Sequence, residues 1–140
     1  MSKYIEKLRF ILEKVDDILI YRAKFKTIEE LLNDKMGFDA TLMSLLQIGE
    51  SLNKLKDSPY SDKLPIKGAY DVRNFIAHDY EGVNKMIVED IIRRLIPELK
   101  DTLIEIINEN WWVSLEPTTK NSLPVLAIGG VELVLSPIMS

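Results

Sequence analysis

The chain contains a single histidine, His78, and an arginine, Arg73, stands five residues before it. One reaction uses such a pair directly: cleavage of RNA through its own ribose. A neutral imidazole takes the proton from a 2′-hydroxyl, which attacks the adjacent phosphorus, while a guanidinium holds the charge that builds on the phosphorane oxygens. That chemistry calls for no metal and no cofactor. Asn74, next to Arg73, could orient the imidazole or donate to phosphate, and is equally at home as a polar residue on an exposed helix arc. A surface histidine near a helix end is the plain alternative for His78 itself, because short spacings of this kind recur by chance.

Both residues must be carried by one helix, expected over Ile66 to His78, with Pro65 suited to its first turn. At about 100° per residue, Asp71, Asn74 and His78 share one stripe and Arg73 and Tyr80 another, while Val72, Phe75 and Ile76 form the expected buried arc. On an ideal helix Arg73 and His78 lie roughly 140° apart. Their convergence therefore requires the helix to end near His78 or a second subunit to assist. Ala77 leaves room for something to approach.

The elements around this helix are also written as helices. Ile5, Leu8, Leu12, Val15 and Leu19 recur at three- and four-residue steps, predicting a first helix over roughly Lys3 to Lys24. Thr27 and Glu30 have capping-box spacing and start a short second helix. The stripe Phe38, Leu42, Leu45, Leu52 and Leu55 predicts a third, ending near Lys56, in which Gly49 permits close contact with a neighbour. Asp57 to Pro65 has the turn chemistry of a connecting loop. After Gly82, the positions Val83, Ile87, Ile91, Leu95, Leu99, Leu103 and Ile106 mark a long last helix, with a kink or restart near Arg93 to Pro97 because Pro97 removes one hydrogen bond.

At 140 residues there is room for one core. We expect an all-α helical domain over residues 1–110 and an atypical tail over 111–140. The tail holds three charged residues, Glu116, Lys120 and Glu132, and the apolar run Val125 to Leu135 broken by Gly129-Gly130. That run is too short to span a bilayer and reads as a strand pair, a partner-binding segment or a sequence foreign to the domain. Trp111-Trp112 lacks surrounding basic residues, so packing or an interface suits it better than base stacking. The N-terminal stretch has the charges of an amphipathic helix, not the apolar run of a signal peptide or membrane span. The absence of cysteine excludes disulfides and thiolate chemistry and fits a cytoplasmic protein. A net charge of −4 leaves nucleic-acid binding to a local basic groove. No Gly-rich phosphate loop, Gly-x-Ser-x-Gly elbow or His-Glu-x-x-His occurs, and one histidine is poor material for a metal site.

The stretch Arg73-Asn74-Phe75-Ile76-Ala77-His78-Asp79-Tyr80 resembles the Arg-Asn-x4-His-x-Tyr signature of HepT-type HEPN toxins. Ile48-Gly49-Glu50 resembles the Ile-Gly-Glu of that family's central helix, Gly82-Val83 the segment after its active site, and Leu95-Ile96-Pro97-Glu98-Leu99-Lys100 its last helix. The resemblance covers roughly residues 4–108 and stops before the tail. It implies an antiparallel HEPN bundle of four to five helices, a homodimer with two Arg/His motifs facing one cleft, and metal-independent RNA cleavage by Arg73 and His78 with Asn74 in support. It also implies a partner, a minimal nucleotidyltransferase antitoxin of the MntA type, which silences such toxins by attaching AMP to the tyrosine two residues after the histidine, here Tyr80. A helix-end tyrosine packing on the core is the other role open to Tyr80. The rival to a nuclease is a non-catalytic HEPN module that binds nucleotide or RNA and partners a nucleotidyltransferase. Fold alone does not separate the two.

Overall fold

The computed structural model describes residues 2–110, together with 125–128 and 131–134. Its helices are α1 (Ser2–Ala23), α2 (Ile28–Asn33), α3 (Lys35–Asn53), α4 (Ile66–His78), α5 (Lys85–Asp90) and α6 (Ile96–Asn110). A 3-10 turn (Ser61–Lys63) precedes α4, and a π turn (Ile91–Leu95) joins α5 to α6 without a break. Taken as one rod, α5, the π turn and α6 bring the bundle to the expected all-α form of five helices. Among the described residues, no helix is long and apolar enough to cross a membrane.

Local signals set most helix ends. The Thr27 hydroxyl accepts from Glu30 N at 3.0 Å, as a capping box requires. The Glu30 carboxylate reaches one residue further back than that motif prescribes, accepting from Lys26 N at 3.2 Å. Asp34 ends α2 and starts α3, its carboxylate accepting from Gly37 N at 2.8 Å. This cap starts α3 ahead of the apolar stripe first seen at Phe38. At its other end α3 stops at Asn53, and Leu55 is buried in the turn that follows, not in the helix. Pro65 stands just before α4 as its cap residue rather than inside the first turn.

The restart expected before Pro97 takes the form of the π turn. Pro97 has no N–H to offer the carbonyl four residues back, and its ring crowds that carbonyl. The ladder widens ahead of it, so that Ile96 N–H donates to Ile91 O, five residues away.

The core runs along α1, α3 and α6. Ile5, Leu8, Ile11, Val15 and Ile18 of α1 are fully buried, as are Leu42 and Leu52 of α3 and Leu103 and Ile107 of α6. α1 packs on both α3 and α6, whereas α4 packs chiefly on α3. Ile76 is the one buried side chain of α4, and full burial of such a residue stabilises by about 1.5–3 kcal/mol. Beyond the bundle, Val125–Ile128 (β1) and Val131–Val134 (β2) pair antiparallel, Val125 opposite Val134 and Ile128 opposite Val131. The strand pair is thus the reading of the apolar run that its backbone adopts; Trp111-Trp112 lies outside the described residues.

Candidate active site

The seam between α3 and α4 decides where Arg73 sits. α3 and α4 run antiparallel, because Gly49 meets Ala69 and Arg73 while Asp39, earlier on α3, meets Tyr80 beyond the end of α4. A methyl group on Gly49 would stand 2.6 Å from both the Ala69 carbonyl oxygen and Arg73 Cβ. Only glycine lets the helices approach this closely, as its place in the α3 stripe suggested.

The next residue on α3, Glu50, then receives the arginine. One carboxylate oxygen, Oε1, accepts from Arg73 Nε at 3.0 Å and from Nη2 at 2.6 Å. Nη1 donates to Asn74 Oδ1 at 2.9 Å, and the guanidinium carbon lies 5.7 Å from the centre of the Tyr70 ring. Arg73, half-buried, is the best-held cation of α4. Glu50, Asn74 and Tyr70 surround it from two helices.

His78 is in a different situation. It is the last residue of α4 and exposed, and its imidazole makes no hydrogen bond to any other described residue. The helix ends where convergence required it to end, yet no side-chain hydrogen bond joins the His78 imidazole to Arg73 or Asn74. Asp71, on the same stripe, is engaged by Lys67 at 3.1 Å. Asp79 turns forward to accept from Gly82 N at 3.0 Å. The chain thus brings Arg73 and Asn74 together and leaves His78 apart.

Tyr80 points back onto α3. Its hydroxyl donates to Asp39 Oδ1 at 3.1 Å, and its ring meets Phe38 edge-on with centroids 5.9 Å apart. Partial burial raises the pKa of the phenol above its usual value, and the hydrogen bond to Asp39 and the charge of that carboxylate raise it further. Phe75 corrects the expected buried arc. It is 47% exposed, while Val72 is half-buried and Ile76 fully buried. A helix packed chiefly on one neighbour buries a narrower arc than one inserted among several, and Phe75 falls outside it. Among the described residues, no group of three or more His, Asp or Glu side chains is placed to hold a metal ion.

The sequence reading singled out neither Tyr70 nor Asp39, and quoted Glu50 only within a motif. Gly49 carried the usable signal: a glycine at a helix crossing puts its neighbour, Glu50, at the edge of that crossing, within reach of the facing helix.

A profile of the family described as "Ribonuclease HepT-like" matches residues 1–106. The chain belongs to the HepT-like ribonuclease family. It is similar to "Putative RNase MJ0127" of Methanocaldococcus jannaschii, 32% identical over 71% of this chain and 83% of that protein. It is equally similar to "Putative RNase TTE0752" of Caldanaerobacter subterraneus, 32% identical over 73% of this chain and 92% of that protein. A second M. jannaschii protein, "Putative RNase MJ1216", is 32% identical over 81% of this chain and 90% of its own length. No solved structure matches the chain significantly. The family match ends inside α6, so the HepT-like ribonuclease domain accounts for the bundle and not for the tail.

Proposed function

We propose that the chain is a metal-independent endoribonuclease toxin that cleaves RNA with Arg73 and His78. The observation that carries this reading is the Arg73 guanidinium, held on α4 by Glu50 and Asn74, on the same helix as the chain's sole imidazole, in a member of a ribonuclease family. His78 takes the proton of a 2′-hydroxyl, whose oxygen bonds to phosphorus. The phosphorus–5′-oxygen bond breaks, and the leaving oxygen takes a proton from water. A 2′,3′-cyclic phosphate and a 5′-hydroxyl result, with Arg73 holding the phosphorane charge.

A homodimer completes the site. Arg73 and His78 do not meet within one chain, and Phe75, beside them, leaves an aromatic ring in water that a second copy would cover. The cleft then holds two copies of each residue. A minimal nucleotidyltransferase antitoxin silences the enzyme at Tyr80: the phenolic oxygen attacks the α-phosphorus of ATP, pyrophosphate leaves and the phenolic proton is released. Tyr80 must first give up Asp39. The attached phosphate then repels RNA. The 1–110 helical domain is the catalytic unit of this reading, which assigns no role to residues 111–140.

The test is to incubate purified protein with total RNA, with and without EDTA, and to analyse the product ends. Cyclic phosphate ends that survive EDTA, and that vanish on substrates with a 2′-deoxy sugar at the cut, support the reading. RNA retained uncut replaces it with the binding module. Light scattering that gives one chain's mass with full activity overturns the dimer. Intact mass unchanged by an active nucleotidyltransferase overturns the role of Tyr80.

A further inference from the structure

We propose that Glu50 is the positioning residue for Arg73, fixing which edge of the guanidinium faces RNA. This rests on the reading of Arg73 as the group that holds the phosphate. An arginine has five N–H donors in a planar fork. Glu50 takes Nε–H and one N–H of Nη2 on a single oxygen, and Asn74 takes one N–H of Nη1. One donor remains on each terminal nitrogen. Those two are the donors that two phosphate oxygens can share, and with Nε tied to α3 the side chain cannot turn them away. The Tyr70 ring, 5.7 Å from the guanidinium carbon, limits movement out of the plane.

Gly49 makes the arrangement possible. A Cβ at this position would stand 2.6 Å from Arg73 Cβ, so any larger residue there would push the helices apart and Glu50 out of reach. A carboxylate so near a phosphate site weakens phosphate binding by its charge, so its use must be geometric. The pair is also poorly placed to serve stability: the side chains of Arg73 and Glu50 are 29% and 50% exposed, and ion pairs in water contribute little to folding. Positioning and folding can therefore be separated at Glu50.

The experiment compares full-length wild type with Glu50→Ala and Glu50→Gln in three measurements: RNA turnover, affinity for a 2′-deoxy oligonucleotide that cannot be cut, and the Arg73 Nε–H signal by NMR, assigned by its loss in Arg73→Lys. Glu50→Ala is expected to lower kcat about ten- to a hundredfold, the scale of a slight misplacement of a reacting group. Affinity for the uncut oligonucleotide should hold or tighten, the melting temperature should hold, and the Nε–H signal should broaden or shift to that of a free arginine. Glu50→Gln keeps an acceptor and should restore part of kcat. Unchanged or raised kcat in Glu50→Ala overturns the proposal. So does a parallel loss of kcat, affinity and melting temperature that Gln does not relieve, which makes Glu50 structural. Should wild type leave RNA uncut, the nuclease reading fails by itself; an Nε–H signal identical in wild type and Glu50→Ala overturns the positioning claim in either case.

Discussion

The middle of α4 and its C-terminal end are built to different standards. At the Gly49 crossing the helices leave no room for a Cβ, and Arg73 is bonded to Glu50 and Asn74. One and a half turns later the helix stops at His78, exposed and with its imidazole free of hydrogen bonds to any described residue. On the proposed mechanism, the fold pre-arranges the group that would hold charge in a fixed place and leaves the group that would move a proton to be oriented by what arrives. A guanidinium benefits from rigid placement because the oxyanion it stabilises forms at one point. A base need only come within hydrogen-bond reach of its proton once substrate is bound.

The largest test of this contrast is His78→Ala. It should lower RNA cleavage about 10²- to 10⁴-fold, the usual contribution of a general base, with an unchanged circular-dichroism spectrum. No other imidazole is present to substitute. Wild-type cleavage by a folded His78→Ala protein would leave the exposed end of α4 with no part in catalysis.

Arg73→Lys addresses the pinned middle of the helix. A lysine keeps the charge but loses the planar fork, and a hydrogen bond to a charged group is worth about 1.5–3 kcal/mol, so cleavage should fall about ten- to a hundredfold. Turnover measured beside the melting temperature separates this loss from any general weakening. Equal activity in the lysine variant would mean that charge alone suffices.

Gly49→Ala attacks the crossing itself. Alanine gains up to about 1 kcal/mol in helix propensity over glycine, but overpacking at a tight contact costs about 1–3 kcal/mol. The Ala69 carbonyl is backbone and cannot rotate away. The clash should win, giving a lower denaturation midpoint and a larger fractional loss of cleavage than of folded protein. A more stable Gly49→Ala variant would show that the crossing has slack.

The smallest effect is expected at Asp39→Asn. Removing the carboxylate should bring the Tyr80 pKa down toward about 10, though not fully, since burial is the larger cause of its elevation. A phenol whose pKa is raised in the folded state contributes stability that is present below its unfolded pKa and lost as pH rises through the folded one. In the variant that loss should be smaller and end at lower pH. Absorbance titration at alkaline pH against a Tyr80→Phe control reads it, and a Tyr80 pKa that failed to fall would remove Asp39 from the account.

What the sequence disclosed follows the reach of its signals. The bounds of α4, the Thr27 cap and the break ahead of Pro97 depend on residues within a turn or so of each other, and each was legible. So was the close contact at Gly49, because a glycine inside an apolar helical stripe has few other uses. The exposure of Phe75 was not, because the width of a helix's buried arc depends on how many neighbours it packs against. Nor was the choice of Glu50 by Arg73, or of Asp39 by Tyr80. These pairings span 23 and 41 residues, and several carboxylates stood open to each. Arg73, Asn74, His78 and Tyr80 could be named in advance, but their partners waited on the antiparallel register of α3 and α4.

The Tyr80 anchor also acts as a leash. Two residues of chain reach at most about 7 Å from Cα to Cα, so the backbone of His78 cannot stray further than that from a residue whose ring lies on Phe38 and whose hydroxyl is tied to Asp39. The imidazole is unbonded, but it swings from a short tether fixed to the rigid side of the bundle. Its freedom is that of a side chain, confined to rotations about two bonds.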